Sequence, residues 1–207
     1  MESRWGEQPT DILRVLFQRA AGVVCLGLVP GILILTLSSR RLSGLGITFS
    51  YSVSALFWTL GLGGCVLAVS YFFSRRPENF RLYPQIRKKE WTLITVLINT
   101  GSWMAYLLAY EFLFRGILLF TIDETLGVWP AVLITTFLYA LVHIPKGWTE
   151  TLGAVPFGVI LGFVTLQTGI IWPAFFIHAL LALSNDHFAL SANPDMRYVF
   201  SRSKNQS

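Results

Sequence analysis

Long apolar runs separated by short polar stretches dominate the chain. Ala20–Leu37 and Ser50–Phe73 contain no charged residue, and a helix of about 20 apolar residues crosses the hydrocarbon core of a bilayer. The full pattern predicts six spans, at about 17–37, 50–73, 98–122, 128–144, 150–168 and 170–186. Pro130 falls where proline is tolerated, in the first turn of a helix, and Gly127 and Gly169 mark short turns. Gly27/Gly31 and Gly158/Gly162 have the small-xxx-small spacing that lets helix backbones approach closely in lipid. Trp91–Ile122 is apolar apart from Glu111 and Arg115 and too long for one straight span. Its first part is expected at the interface or beyond the core, with Gly101-Ser102 a candidate break. The fold class expected is all-α, a polytopic bundle of about six transmembrane helices. Residues 1–90 form a two-span region with a basic loop, 91–190 the core helices, and 191–207 a tail.

Composition agrees with a membrane solvent. Of 207 residues, 54% are hydrophobic and 13% charged, with a mean hydropathy of +0.58, where soluble domains carry about 25% charged residues. The net charge of +5 does not point to nucleic acid, because the basic residues are sorted by side. With the N-terminus inside, the inner side holds Arg4, Arg14, Arg19, Arg75, Arg76, Arg81, Arg87, Lys88, Lys89, Lys146, Arg197, Arg202 and Lys204. The outer side holds only Arg40 and Arg41. That bias places both termini in the cytoplasm. The run Arg75–Lys89 reads as a topology signal that also suits anionic lipid headgroups. Cys25 and Cys65, each inside an apolar run, read as small packing hydrophobes. The polar, amphipathic N-terminal stretch does not resemble a cleaved signal peptide.

Four ionisable residues interrupt the spans: Glu111, Arg115, His143 and His178. A charge at mid-bilayer costs at least about 2.5–3.5 kcal/mol, so such residues face the protein interior and pair there. Glu111 and Arg115, four apart, share a helix face. Glu111 and His143 each lie sixteen residues from Gly127. At about 1.5 Å per residue, both sit roughly 24 Å from the turn. His178 lies nearer mid-membrane and reaches the pair if the helices tilt. One Glu and two His facing one cavity could position and deprotonate a water, directly or through a divalent metal such as zinc. No HExxH or GxSxG motif is present.

At these residues the chain resembles the CPBP family, the CAAX proteases and bacteriocin-processing (Abi) enzymes. The family motif Glu-Glu-x-x-x-Arg-Gly aligns with Tyr110-Glu111-Phe112-Leu113-Phe114-Arg115-Gly116. Phe-x-x-x-His aligns with Tyr139 through His143, and His-x-x-x-Asn with His178 through Ala182. The resemblance spans about residues 100–190. It implies intramembrane endoproteolysis without a covalent intermediate. By that resemblance a motif Glu and His143 activate water, His178 stabilises the oxyanion and Arg115 anchors Glu111, which must take over the base role if the chain is a protease. Two positions depart from the pattern. Tyr110 stands where the family has its first Glu, and Ala182 where it has Asn. Glu111 adjoins the missing base but is rotated about 100° around a helix. Asn185 returns to the face of His178 about 10 Å further along, and Asp186 and His187 read as a solvated helix end. Two functions remain. One is an integral membrane endopeptidase, in a bacterial plasma membrane, acting on a peptide or lipidated protein near the cytoplasmic face. The other is an inactive relative binding a membrane-protein partner. A transporter would need long polar stripes and repeat symmetry, which the sequence lacks.

Overall fold

The computed structural model describes residues 10–199, with side chains from Ile12 onward. Arg4, Arg202 and Lys204, part of the basic asymmetry, lie outside the described residues, as does the end of the tail from residue 200.

The fold is an all-α helical bundle of an integral membrane protein. The first rod runs through α1 (Thr10–Gly22), a π segment (Val23–Leu28) and α2 (Val29–Leu37). Next comes α3 (Val53–Phe73), which starts where the Ser52 hydroxyl accepts the Ala55 N–H at 3.1 Å. The third rod joins α4 (Leu93–Glu111), a second π segment (Phe112–Leu119) and α5 (Phe120–Leu126). There is no break at Gly101-Ser102. With 34 residues, this rod is roughly 50 Å long at 1.5 Å per residue, and it overruns a hydrocarbon core of about 30 Å. α6 (Val128–Leu141), α7 (Trp148–Thr168) and α8 (Trp172–Ala192) complete the bundle. Gly127 (φ +85°) and Gly169 (φ +70°) make the turns before α6 and α8 in a backbone region that L side chains avoid. A two-residue parallel pairing joins β1 (Glu90–Trp91) to β2 (Arg197–Tyr198).

Four helical stretches are long and apolar enough to cross a membrane: Ile12–Leu37, Val53–Phe73, Leu93–Leu126 and Trp148–Thr168. α6 is apolar but short. Large side chains such as Phe17, Ile32, Phe57, Leu97, Phe137 and Leu152 point outward, a surface that water disfavours and acyl chains solvate. Cys25 and Cys65 are also exposed, so they are not the packing residues expected.

The small-residue spacings do set helix contacts. A Cβ on Gly27 would lie 2.8 Å from the Ala109 Cβ, and one on Gly31 would lie 3.1 Å from the Phe112 ring. On α7, Gly158 meets Thr136 and Tyr139, and Gly162 meets Val132. The two glycine pairs thus bring the first rod onto α4 and α7 onto α6. α8 packs between α3, α4 and α7.

At the end of the bundle near His143, the segment between α3 and α4 folds inward. Tyr83, Pro84 and Ile86 are buried. The Tyr83 hydroxyl donates to Glu150 (3.1 Å), and Lys146 reaches both Glu150 (3.7 Å) and the Tyr83 oxygen (3.4 Å). Burial, followed by the Glu150 charge, raises the Tyr83 phenol well above its ordinary pKa, so it remains a donor. Ile86 and Trp91 pack with Leu190 and Met196. The opposite end is tied by the paired side chains of Arg40 and Glu124.

Candidate active site

Glu111 ends α4, and the wider π turn that follows carries Arg115. π insertions in α-helices often occur at functional sites. The Arg115 Nε lies 3.5 Å from the Glu111 Oε2, and neither side chain has any exposed surface. The guanidinium carbon sits 5.2 Å from the centre of the Tyr139 ring. Gly116 is needed beside it: a Cβ there would lie 3.0 Å from the Phe112 ring and 3.1 Å from the Leu45 carbonyl oxygen.

The second Glu111 oxygen is engaged from α8. His178 Nδ1 lies 2.6 Å from Glu111 Oε1. A carboxylate only accepts, so Nδ1 carries the proton and the neutral ring leaves Nε2 bare. The His178 side chain keeps 10% of its surface exposed while that of Glu111 keeps none. Of this pair, only the imidazole can meet a molecule entering the site. Three rings stand edge-on around it: Tyr110 at 5.7 Å, Tyr139 at 5.9 Å and Phe157 at 5.6 Å between centroids.

His143 lies in the turn after α6. Its Nδ1 donates to the Tyr139 carbonyl at 2.9 Å, because a carbonyl oxygen can only accept. Its Nε2 is therefore also bare in the neutral ring. Its ring lies 4.6 Å from that of Tyr139. Tyr139 thus meets both imidazoles, that of His143 at 4.6 Å and that of His178 at 5.9 Å between centroids. His143 lies close enough to Glu111 and His178 to interact with both electrostatically, while the imidazole that bonds Glu111 directly is His178.

The remaining candidates fall elsewhere. Tyr110 is 3% exposed, stacks on Phe114 at 4.5 Å, and has a buried hydroxyl with no hydrogen-bond partner among the described residues. Ala182 sits in an apolar cluster with Trp103, Leu107, Phe175 and Ala179, so no donor stands one turn from His178. Asn185 Oδ1 accepts from Asn79 Nδ2 at 3.0 Å, which ties α8 to the segment after α3.

Asp186 is not solvated, as a helix end would be; it is 1% exposed. It accepts from Trp103 Nε1 (2.7 Å) and Asn99 Nδ2 (3.1 Å). Asn99 in turn accepts from Arg19 (3.0 Å), which also donates to Ser102 (2.7 Å) and Gln85 (3.1 Å). The Arg19 guanidinium covers Trp103 at 4.0 Å. Sequence reasoning assigned Arg19 to topology and missed this network. Its available signal was Asn99, a polar residue inside an apolar run. His187 bonds the Tyr198 hydroxyl at 2.6 Å.

Among the described residues, no three of His, Cys, Asp and Glu come together to hold a metal ion. Glu111 has both oxygens facing cationic or donor groups of the protein. The described residues therefore do not form the zinc site that the sequence allowed.

Residues 90–184 match the family model described as type II CAAX prenyl endopeptidase Rce1-like. No curated protein and no solved structure matches the chain. The matched stretch contains Glu111, Arg115, His143 and His178, in agreement with the CPBP resemblance of the motifs. Over residues 90–184 the chain is similar to that family, a likeness that supports a CAAX-protease-like function at the level of the family.

Proposed function

We propose, from the Rce1-like character of residues 90–184, that the chain is an intramembrane endopeptidase in which Glu111 orients His178 as the general base. The substrate is a peptide or prenylated protein segment entering near His143. The basic asymmetry supports a cytoplasmic location for that end of the bundle.

The observation that carries this reading is the difference in exposure between two bonded groups. Glu111 is wholly buried, held by Arg115, while His178 keeps surface and a bare Nε2. A buried carboxylate that accepts from Nδ1 fixes the tautomer and stabilises the imidazolium formed when Nε2 takes a proton. In the reaction, His178 Nε2 draws a proton from water as the water oxygen bonds to the scissile carbonyl carbon. The tetrahedral intermediate then collapses. The carbon–nitrogen bond breaks, and the proton on Nε2 passes to the leaving amine. Water is consumed and two peptides result. This exchanges the roles implied by the family motifs: His178 becomes the base and Glu111 its orienting partner. His143, also bare at Nε2 and less buried than His178, is the imidazole that entering substrate or water would meet first.

The test uses the purified protein in proteoliposomes with a farnesylated peptide of the Cys-aliphatic-aliphatic-X form, and products are identified by mass spectrometry. The native chain is expected to release the terminal tripeptide. His178→Ala should lower the rate by roughly 10²–10⁴, the usual share of a general base. Intact peptide after prolonged incubation would refute the reading.

One observation favours a second reading. The apolar setting of Ala182 removes a donor beside His178, and loss of one such donor costs roughly 10²–10³ in rate. A non-cleaving adaptor that binds a membrane partner would bind the same peptide stably and leave it whole.

A further inference from the structure

We propose that the Tyr110 hydroxyl is a catalytic hydrogen-bond donor that steadies the substrate carbonyl oxygen as it becomes an alkoxide; this rests on the peptidase reading above. Tyr110 occupies the position where the family motif has its first carboxylate, and a phenol is a poor base at neutral pH, with a reference pKa near 10. It is, however, a donor, which a carboxylate is not. Its surroundings explain the ring but not the oxygen. The ring stacks on Phe114 at 4.5 Å and meets Tyr139 at 5.6 Å and His178 at 5.7 Å. Phenylalanine would make every one of these contacts. The hydroxyl is buried with no protein partner among the described residues, and a buried polar group left unbonded is destabilising.

Two further facts point the same way. Tyr110 and Glu111 are consecutive, and both meet the ring of His178, one by edge contact and one by the 2.6 Å bond. The Tyr110 ring therefore stands beside the proposed base. The position at which the family supplies a donor is Ala182, which lies among apolar side chains. One departure thus removes a donor one turn along the helix from His178, and the other adds a donor on a ring that touches the same imidazole. The Tyr110 O–H bond does not break in this step. It shortens its contact to the carbonyl oxygen while charge develops and relaxes when the intermediate collapses. A donor preorganised in a water-poor site acts at full strength and needs no reorganisation.

The experiment compares the native chain with Tyr110→Phe in proteoliposomes, using the same farnesylated peptide and measuring kcat, KM and thermal unfolding. The expected result is a fall in kcat of roughly 10²–10³ at unchanged KM, with a melting temperature equal to or above that of the native chain. Higher stability with lower turnover separates a donor to substrate from a structural hydroxyl. Native-like kcat in Tyr110→Phe would overturn the assignment alone, leaving His178 as base. A fall in kcat that tracks a fall in melting temperature would also overturn it. Failure of the native chain itself to cleave would remove the peptidase reading, and this assignment with it.

Discussion

Glu111 and Arg115 are each other's counterion in a place with no exposed surface, which fixes how substitutions there should behave. Glu111→Gln keeps an oxygen for His178 but leaves the guanidinium buried without a charge partner. Breaking a buried ion pair from one side costs about 3–5 kcal/mol in soluble proteins. A loss of that order is expected in unfolding from detergent micelles, with most of it recovered in Glu111→Gln/Arg115→Met. Equal stability of the single and double variants would show that the pair is not coupled. These residues were legible in the sequence because ionisable groups stand out in apolar runs. Which imidazole bonds the carboxylate was not. His178 lies on α8, sixty-seven residues from Glu111, and no local periodicity reports which distant helix packs against α4. The hydroxyl of Tyr110 was legible as a departure from the family motif, but its isolation is a property of the folded state.

At the scale of the elements, two devices fasten the first rod to the bundle. One is steric. Gly27 lets the rod touch α4, and a Cβ there would lie 2.8 Å from that of Ala109. Gly27→Val should cost about 1–3 kcal/mol, as overpacking usually does, whereas Gly61→Val, which meets nothing within 4 Å, should not. The other device is polar. Asp186 accepts from Asn99 and Trp103, and Asn99 accepts from Arg19. Asp186→Ala leaves two buried donors unbonded, each costing about 1–3 kcal/mol, so thermal unfolding should reveal a loss on the order of 3 kcal/mol. An unchanged melting temperature would mean that water replaces the carboxylate freely. Sequence spacing disclosed the steric device, since small-xxx-small is a local pattern. It did not disclose the polar one, because Arg19, Asn99 and Asp186 come from three rods that only folding brings together.

For the whole molecule, apolar surface faces outward and charge is sorted by end, and this predicts an orientation. After removal of Cys25 and Cys65, both exposed, a cysteine at Glu124 should react with an impermeant thiol reagent from outside the cytoplasm and one at Lys88 only from inside. The reverse pattern would invert the topology. Hydropathy sufficed for the helix order, and the glycines for the turns at Gly127 and Gly169. It did not foresee the inward fold of Tyr83, Pro84 and Ile86, which looks like a polar loop in sequence and becomes a cap through contacts with Glu150, Leu190 and Met196. The whole arrangement converges on one imidazole, and its protonation can be read directly. The chain contains three histidines, so ¹⁵N spectra of histidine-labelled protein, assigned by His143→Gln and His187→Gln, isolate His178. For the neutral ring the account predicts a proton on Nδ1, a bare Nε2, and loss of that single tautomer in Glu111→Ala. A proton on Nε2, with Nδ1 bare against the carboxylate, would contradict it.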